Sequence, residues 1–131
     1  RPTRSTLFPY TTLFRSVELW NIVHQELEAM LSLVRHGAKA RDLCQVAKDI
    51  AASYGYDGKE NFVHQPGHGI GLQFHEPPSI HVLSDEVLEE GCVISLEPHV
   101  YVPGWGGMRM EENVAVTKTG YDLLTIFPRG L

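Results

Sequence analysis

A change of texture near Asp57 divides this chain of 131 residues into two unlike parts. Before it, Leu19, Ile22, Val23, Leu27, Met30, Leu31 and Val34 recur every three or four positions, the spacing of one helix face, and Gly37 stands where a C-terminal cap belongs. Leu43, Val46, Ala47, Ile50, Ala51 and Tyr54 repeat the pattern up to Gly55. After Asp57, glycine and proline become frequent, and the runs Leu72 to His75, Cys92 to Leu96 and Arg109 to Thr117 read as strands. The strongest turn signals are Glu89-Glu90-Gly91 and Pro103-Gly104-Trp105-Gly106-Gly107. Two helices followed by mostly antiparallel strands is an α+β arrangement. No solenoid repeat or heptad competes with it.

The length suits one domain with a core, and the composition is that of a globular chain. No apolar run approaches the roughly 18 to 20 residues of a membrane-crossing helix. The two cysteines, Cys44 and Cys92, lie far apart and form no CxxC knuckle, so they are expected to be reduced and structural in a cytoplasmic protein. A formal charge of −5 disfavours nucleic acid or an anionic membrane as partner.

Residues 1–16 read differently from the rest. RPTRSTLFPYTTLFRS has three arginines and six serines or threonines but no acidic residue, and Pro9 and Tyr10 interrupt any apolar stretch a secretory signal would need. Thr6 to Ser16 resembles the codon-by-codon translation of a widely used short-read sequencing adapter. The division expected is therefore 1–16, a non-native adapter-derived segment, and 17–131, the domain proper. Without the three arginines of that segment the net charge is −8.

Five histidines, His64, His68, His75, His81 and His99, crowd the region that also carries Glu76, Glu97, Glu111 and Glu112. His64 and His68 are four apart, but Pro66 and Gly67 argue against a helical metal site between them. His75-Glu76 begins like HExxH, yet Ser79 stands where the second histidine would be. Gly67, Gly69 and Gly71 are followed by no helix pattern, which disfavours a phosphate loop. These glycines are better explained by backbone that approaches a ligand or another segment closely.

The carboxylates say more. In an antiparallel hairpin of Cys92 to Val102 with Met108 to Thr117, residues whose numbers sum to about 208 or 209 lie opposite each other, which pairs Glu97 with Glu111. Directly opposed side chains have Cβ atoms about 4.5 to 5.5 Å apart, and like charges there are destabilising unless something positive sits between them. Alternation puts Arg109, Glu111 and Asn113 on one face and Met110, Glu112 and Val114 on the other. A functional site and a solvated hairpin face both remain open on this geometry alone.

Taken together, HQPGHGIGLQFHEPP (64–78), ISLEPHVYVPGWGG (94–107) and MRMEENVAVTKTGYDLLT (108–125) closely resemble the motifs of the M24 metallopeptidases, the pita-bread enzymes that include Xaa-Pro dipeptidases, Xaa-Pro aminopeptidases and methionine aminopeptidases. The short interval between Glu97 and Glu111 is more similar to the Xaa-Pro branch. The resemblance implies that 17–131 is the C-terminal half of a pita-bread domain. It further implies His68, Glu97 and Glu111 as metal ligands, Glu111 bridging two divalent ions, with Mn expected and Co, Zn or Fe as alternatives. His64 and His75 match histidines that hydrogen-bond the substrate, Arg109 matches a residue supporting the ligands, and Glu97 doubles as general base and acid. His81 is expected on a loop surface. His99 stands where the family commonly has glycine and could line the pocket and alter substrate choice.

The family's two aspartate ligands have no counterpart here, since the first Asp is Asp42 inside the second helix pattern. The expectation is a parent hydrolase acting on a peptide or small amide substrate, most simply an Xaa-Pro bond, while this chain alone is inactive, binds metal weakly and exposes strand edges. A homodimeric parent is left open. A pita-bread hydrolase of a small non-peptide C–N bond, creatinase-like or ectoine-hydrolase-like, and a catalytically dead binding module are the competing readings.

Overall fold

The computed structural model describes residues 8–129. Residues 1–7 of the leading segment lie outside the described residues. Helix α1 spans Phe8–Leu33, and α2 spans Ala40–Ser53. The apolar face read from the sequence is the buried face of α1: Leu19, Ile22, Val23, Leu27, Met30 and Leu31 are all at most 1% exposed. The helix starts well ahead of Leu19 and passes through Ser16 and Val17 without a break. Pro9 falls in its first turn, where a missing N–H costs little. Arg15 adds a contact beyond α1, its guanidinium lying 4.9 Å from the centre of the Trp105 ring.

Helix α2 ends in a Schellman turn. Gly55 takes φ +82°, its N–H donates to the Ala52 carbonyl (2.9 Å), and the Tyr56 N–H reaches back to Ala51 (3.0 Å). Gly37 also has a positive φ (+83°), but it lies beyond the end of α1 and donates to the Leu88 carbonyl (2.9 Å). It is a turn glycine tying the inter-helix loop to the sheet side, and not the helix cap expected.

Seven strands follow: β1 Gly67–Ile70, β2 Glu76–Ser79, β3 Val93–Leu96, β4 His99–Val102, β5 Gly106–Arg109, β6 Glu112–Val116 and β7 Tyr121–Leu123. All pair antiparallel, in a five-stranded sheet of order β2-β1-β3-β6-β7 and a separate β4-β5 ribbon. The α+β reading holds. Leu72 to His75, expected as a strand, is instead the turn joining β1 to β2, with Leu72 and Phe74 exposed. The strand is the glycine-bearing segment before it. A Cβ on Gly67 would run into the Ser95 carbonyl and one on Gly69 into the Pro77 carbonyl, so only glycine lets β1 fit between its neighbours.

The expected long hairpin is present with its register but broken in two. Val93 faces Ala115 and Leu96 faces Glu112 in one sheet, while His99 faces Arg109 in the other, the same pairing sum of 208 throughout. The break falls at Glu97-Pro98, opposite Met110-Glu111. Pro98 has no N–H to give the ladder, and the Glu97 N–H is taken by the Pro66 carbonyl at 2.6 Å.

One face of the sheet meets the helices. Ile94, Leu96, Val114 and Val116 are buried there against Leu27, Met30, Leu31 and Leu43, each such side chain contributing on the order of 2 kcal/mol. A second cluster joins Leu19, Ile22 and Val23 to Val100 of the ribbon. Alternation then sends Ser95, Glu97, Glu111 and Asn113 toward the opposite side. Both cysteines are free, and burial pushes the Cys44 thiol up to about 11, which makes it a poor nucleophile. Among the described residues no helix is long and apolar enough to cross a membrane.

Candidate active site

The break in the hairpin, the end of β1 and the β1-β2 turn converge on one cavity of about 450 Å³. Its walls are His64, Gln65, His68, Phe74, His75, Glu97, Arg109 and Glu111. All six residues singled out from the sequence as ligands or catalytic groups are among them. Gln65 and Phe74 were not foreseen, although Phe74 carries a signal: a large aromatic in an exposed turn next to a site histidine.

His68 is 4% exposed and oriented from both ring nitrogens. Its Nδ1 lies 2.9 Å from the Gly69 carbonyl, which can only accept, so Nδ1 carries a proton. Its Nε2 faces Glu97 Oε1 at 3.0 Å. With a proton on Nε2 the contact is a hydrogen-bonded ion pair, and without one the nitrogen and the carboxylate oxygen are two acceptors suited to a shared metal ion. In octahedral coordination two adjacent donor atoms, each about 2.1 Å from one ion, sit about 3.0 Å apart. The pair therefore fits co-ligands of a divalent cation.

Glu111 lines the same cavity on the other side of Arg109. The Arg109 guanidinium lies between the two carboxylates, 3.5 Å from Glu97 Oε2 and 4.0 Å from Glu111 Oε2. The positive charge expected between the opposed carboxylates is thus an arginine. With Arg109 and Glu111 both about half exposed, solvent weakens the outer contact to a fraction of a kcal/mol. Among the described residues no three His, Cys, Asp or Glu side chains form a cluster that could hold a metal ion. The carboxylates and the imidazole suit a divalent cation in donor type, with His68 beside Glu97 and Glu111 on the far side of Arg109.

The remaining histidines divide clearly. His75 is exposed in the β1-β2 turn and presents its ring edge-on to His68 with centroids 4.1 Å apart. His64 donates from Nδ1 to the Gln65 carbonyl (2.8 Å), and its ring lines the cavity. His81 is exposed in a loop, as expected. His99 does not take up the pocket-lining place left open for it: it is fully buried and lies behind His64, outside the cavity lining. Burial lowers its pKa to about 4, helped by His64 and Arg109 and opposed by a hydrogen bond to the Glu97 carbonyl, so the ring is neutral.

Two further acidic residues are buried. Glu112, on the helix side as alternation required, accepts from Thr125 Oγ1 and lies 3.4 Å from Arg129 Nε, whose guanidinium also reaches Glu28 at 2.6 Å. Glu26 on α1 is fully buried with neither carboxylate oxygen partnered, and desolvation raises its pKa to about 9.

Comparison with known proteins matches residues 3–118 to the family described as Metallopeptidase family M24. The chain is 38% identical over 114 residues to the Xaa-Pro dipeptidase of Pyrococcus furiosus, covering 87% of this chain and 32% of that protein. The solved structure of an Xaa-Pro dipeptidase from Bacillus anthracis superposes with a TM-score of 0.84 at 36% identity, over 89% of this chain and 32% of that one. An X-Pro aminopeptidase from Thermotoga maritima gives 0.81 at 34% identity, over 88% and 32%. The chain thus spans about one third of the length of the relatives it matches.

Proposed function

The chain belongs to metallopeptidase family M24, and from that premise we propose that it carries the greater part of the active site of an enzyme that removes an N-terminal residue from peptides, with Xaa-Pro bonds as substrate. The observation that carries this reading is the cavity itself, whose lining brings His64, His68, His75, Glu97, Arg109 and Glu111 together with His68 Nε2 3.0 Å from Glu97 Oε1. His68, Glu97 and Glu111 would hold two divalent ions, manganese being proposed from among the Mn, Co, Zn and Fe that these donor types suit, and such ions would acidify a water molecule and polarise the scissile carbonyl.

The protein's own groups do the rest. Glu97 accepts a proton from the attacking water and returns it to the leaving nitrogen. His64 and His75 stand on the cavity wall as hydrogen-bonding partners for the substrate and for the oxygen on which negative charge develops. Arg109 keeps the two carboxylates apart and oriented. The chain supplies three of the five donors a two-ion site of this family would use, so alone it binds metal weakly and turns over no substrate.

The test is a chimera in which this chain replaces the matching third of the Pyrococcus furiosus Xaa-Pro dipeptidase. With manganese the chimera is expected to release proline from Xaa-Pro dipeptides, and Glu97→Gln or His68→Ala to abolish that release. A folded chimera that cleaves no Xaa-Pro dipeptide, or one that hydrolyses creatine instead, overturns the assignment.

A further inference from the structure

Behind the cavity wall lies a column of rings that the reaction scheme does not use. His99, fully buried in β4, stacks on Phe62 with centroids 4.5 Å apart and on His64 at 3.7 Å, the latter pair 25° from parallel. Tyr101 tilts against it at 5.0 Å. The same imidazole donates from Nδ1 to the backbone carbonyl of Glu97 at 3.1 Å, while its Nε2 is buried without a partner. One side chain therefore touches two residues of the cavity by two different means.

Each contact constrains something specific. An aromatic ring that stacks at 3.7 Å on the back of His64 restricts rotation of that imidazole about its own axis, and the Nδ1–H bond of His64 to Gln65 fixes which way the ring faces. The bond to the Glu97 carbonyl acts at the residue where the hairpin leaves one sheet for the other, next to Pro98, which can offer no ladder hydrogen bond. A plain core residue would fill space equally well with any ring and would not need its Nδ1 on that carbonyl.

We propose that His99 is a positioning residue that orients the His64 imidazole through its ring and the Glu97 turn through its Nδ1–H. The proposal rests on the reading of His64 and Glu97 as site residues. Its two arms are separable by substitution: His99→Phe keeps the ring and loses the donor, and His99→Asn keeps a donor near the Nδ1 position and loses the ring.

The experiment is NMR on the whole 131-residue chain and both variants. In the parent chain the His64 ring protons are expected upfield of those of exposed His81, shifted by the stacked ring. His99→Phe should retain that offset while moving the Glu97 amide signal, and His99→Asn should retain the Glu97 signal while collapsing the His64 offset toward His81. Titration with an Xaa-Pro dipeptide supplies a second readout: the dissociation constant should rise about threefold or more in His99→Asn and change less in His99→Phe, as expected when one hydrogen-bonding group is loosened. The proposal falls if the two variants shift both signals alike, if neither shifts them, or if both variants unfold the chain, which would make His99 a core residue. A parent chain that ignores the dipeptide while showing the crossed NMR pattern leaves the positioning role standing, and the substrate is then decided by the chimera.

Discussion

His68 Nε2 lies 3.0 Å from Glu97 Oε1, and as long as the imidazole is neutral both atoms are acceptors. A Glu97→Gln chain gives His68 an amide donor in place of a competing acceptor. It is expected to remain folded, within about 1 kcal/mol of the parent, because a neutral hydrogen bond replaces an unresolved contact. The same substitution should remove the broadening of the His68 ring signals by added Mn²⁺. Chemical denaturation and a manganese titration followed by NMR check the two halves. Equal broadening in parent and variant would show that Glu97 holds no cation.

Glu26 gives a pH dependence with a definite sign. Its pKa is about 9 when folded against 4.5 for an ordinary glutamate, so between those values the unfolded chain releases a proton that the folded chain retains. Stability therefore falls as pH rises above about 4.5 and levels off above about 9, and near pH 7 the penalty is about 3 kcal/mol. Glu26→Leu should be more stable than the parent by an amount of that order at pH 7, with the difference shrinking toward pH 5. Urea denaturation at the two pH values measures it, and a parent chain equally stable at both would refute the burial argument.

Arg129 secures the C-terminal segment by joining Glu112 to Glu28. Arg129→Ala leaves the buried Glu112 carboxylate with Thr125 as its remaining partner and should destabilise the chain by about 1 to 3 kcal/mol. Pairing it with Glu112→Gln should recover part of the loss. A double-mutant cycle by thermal denaturation gives the coupling.

Arg109 should contribute little to stability and, on the proposed reading, more to the site. Being about half exposed, its ion pairs should cost less than about 1 kcal/mol to remove. In Arg109→Leu the Glu97 and Glu111 carboxylates are freed to close on a cation. The variant chain is expected to bind Mn²⁺ more tightly than the parent, measured by calorimetry, even though the chimera carrying it should lose activity through misplaced ligands.

Much of this arrangement was legible before any coordinates. The opposition of Glu97 and Glu111 follows from counting along a hairpin, and the buried stripe of α1 from its three-and-four spacing. What escaped depended on distant partners. The hairpin breaks because Glu97 gives its N–H to Pro66, a pairing that no local pattern announces. Strand β1 was overlooked since its glycines carry no β propensity; they are there for the carbonyls of Ser95 and Pro77. Glu26 had a signal that went unread: it falls between Val23 and Met30 on the apolar stripe, where a charged residue is out of place. His99 could not be placed, because whether it lines or backs a cavity depends on Phe62 and His64 arriving from another loop.

The constant pairing sum across the β3-β6 and β4-β5 ladders means that two lengths of backbone, one on either side, gauge the separation of Glu97 from Glu111. The short turn at 103–105 is the calibration of that gauge. Adding one residue there would slip the β4-β5 register by a single step and leave β3-β6 untouched, forcing the odd residue to be absorbed at the break, between the two carboxylates. The turn at the tip of the ribbon that carries His99 and Arg109 therefore sets, through register, how the chain passes between the two carboxylates.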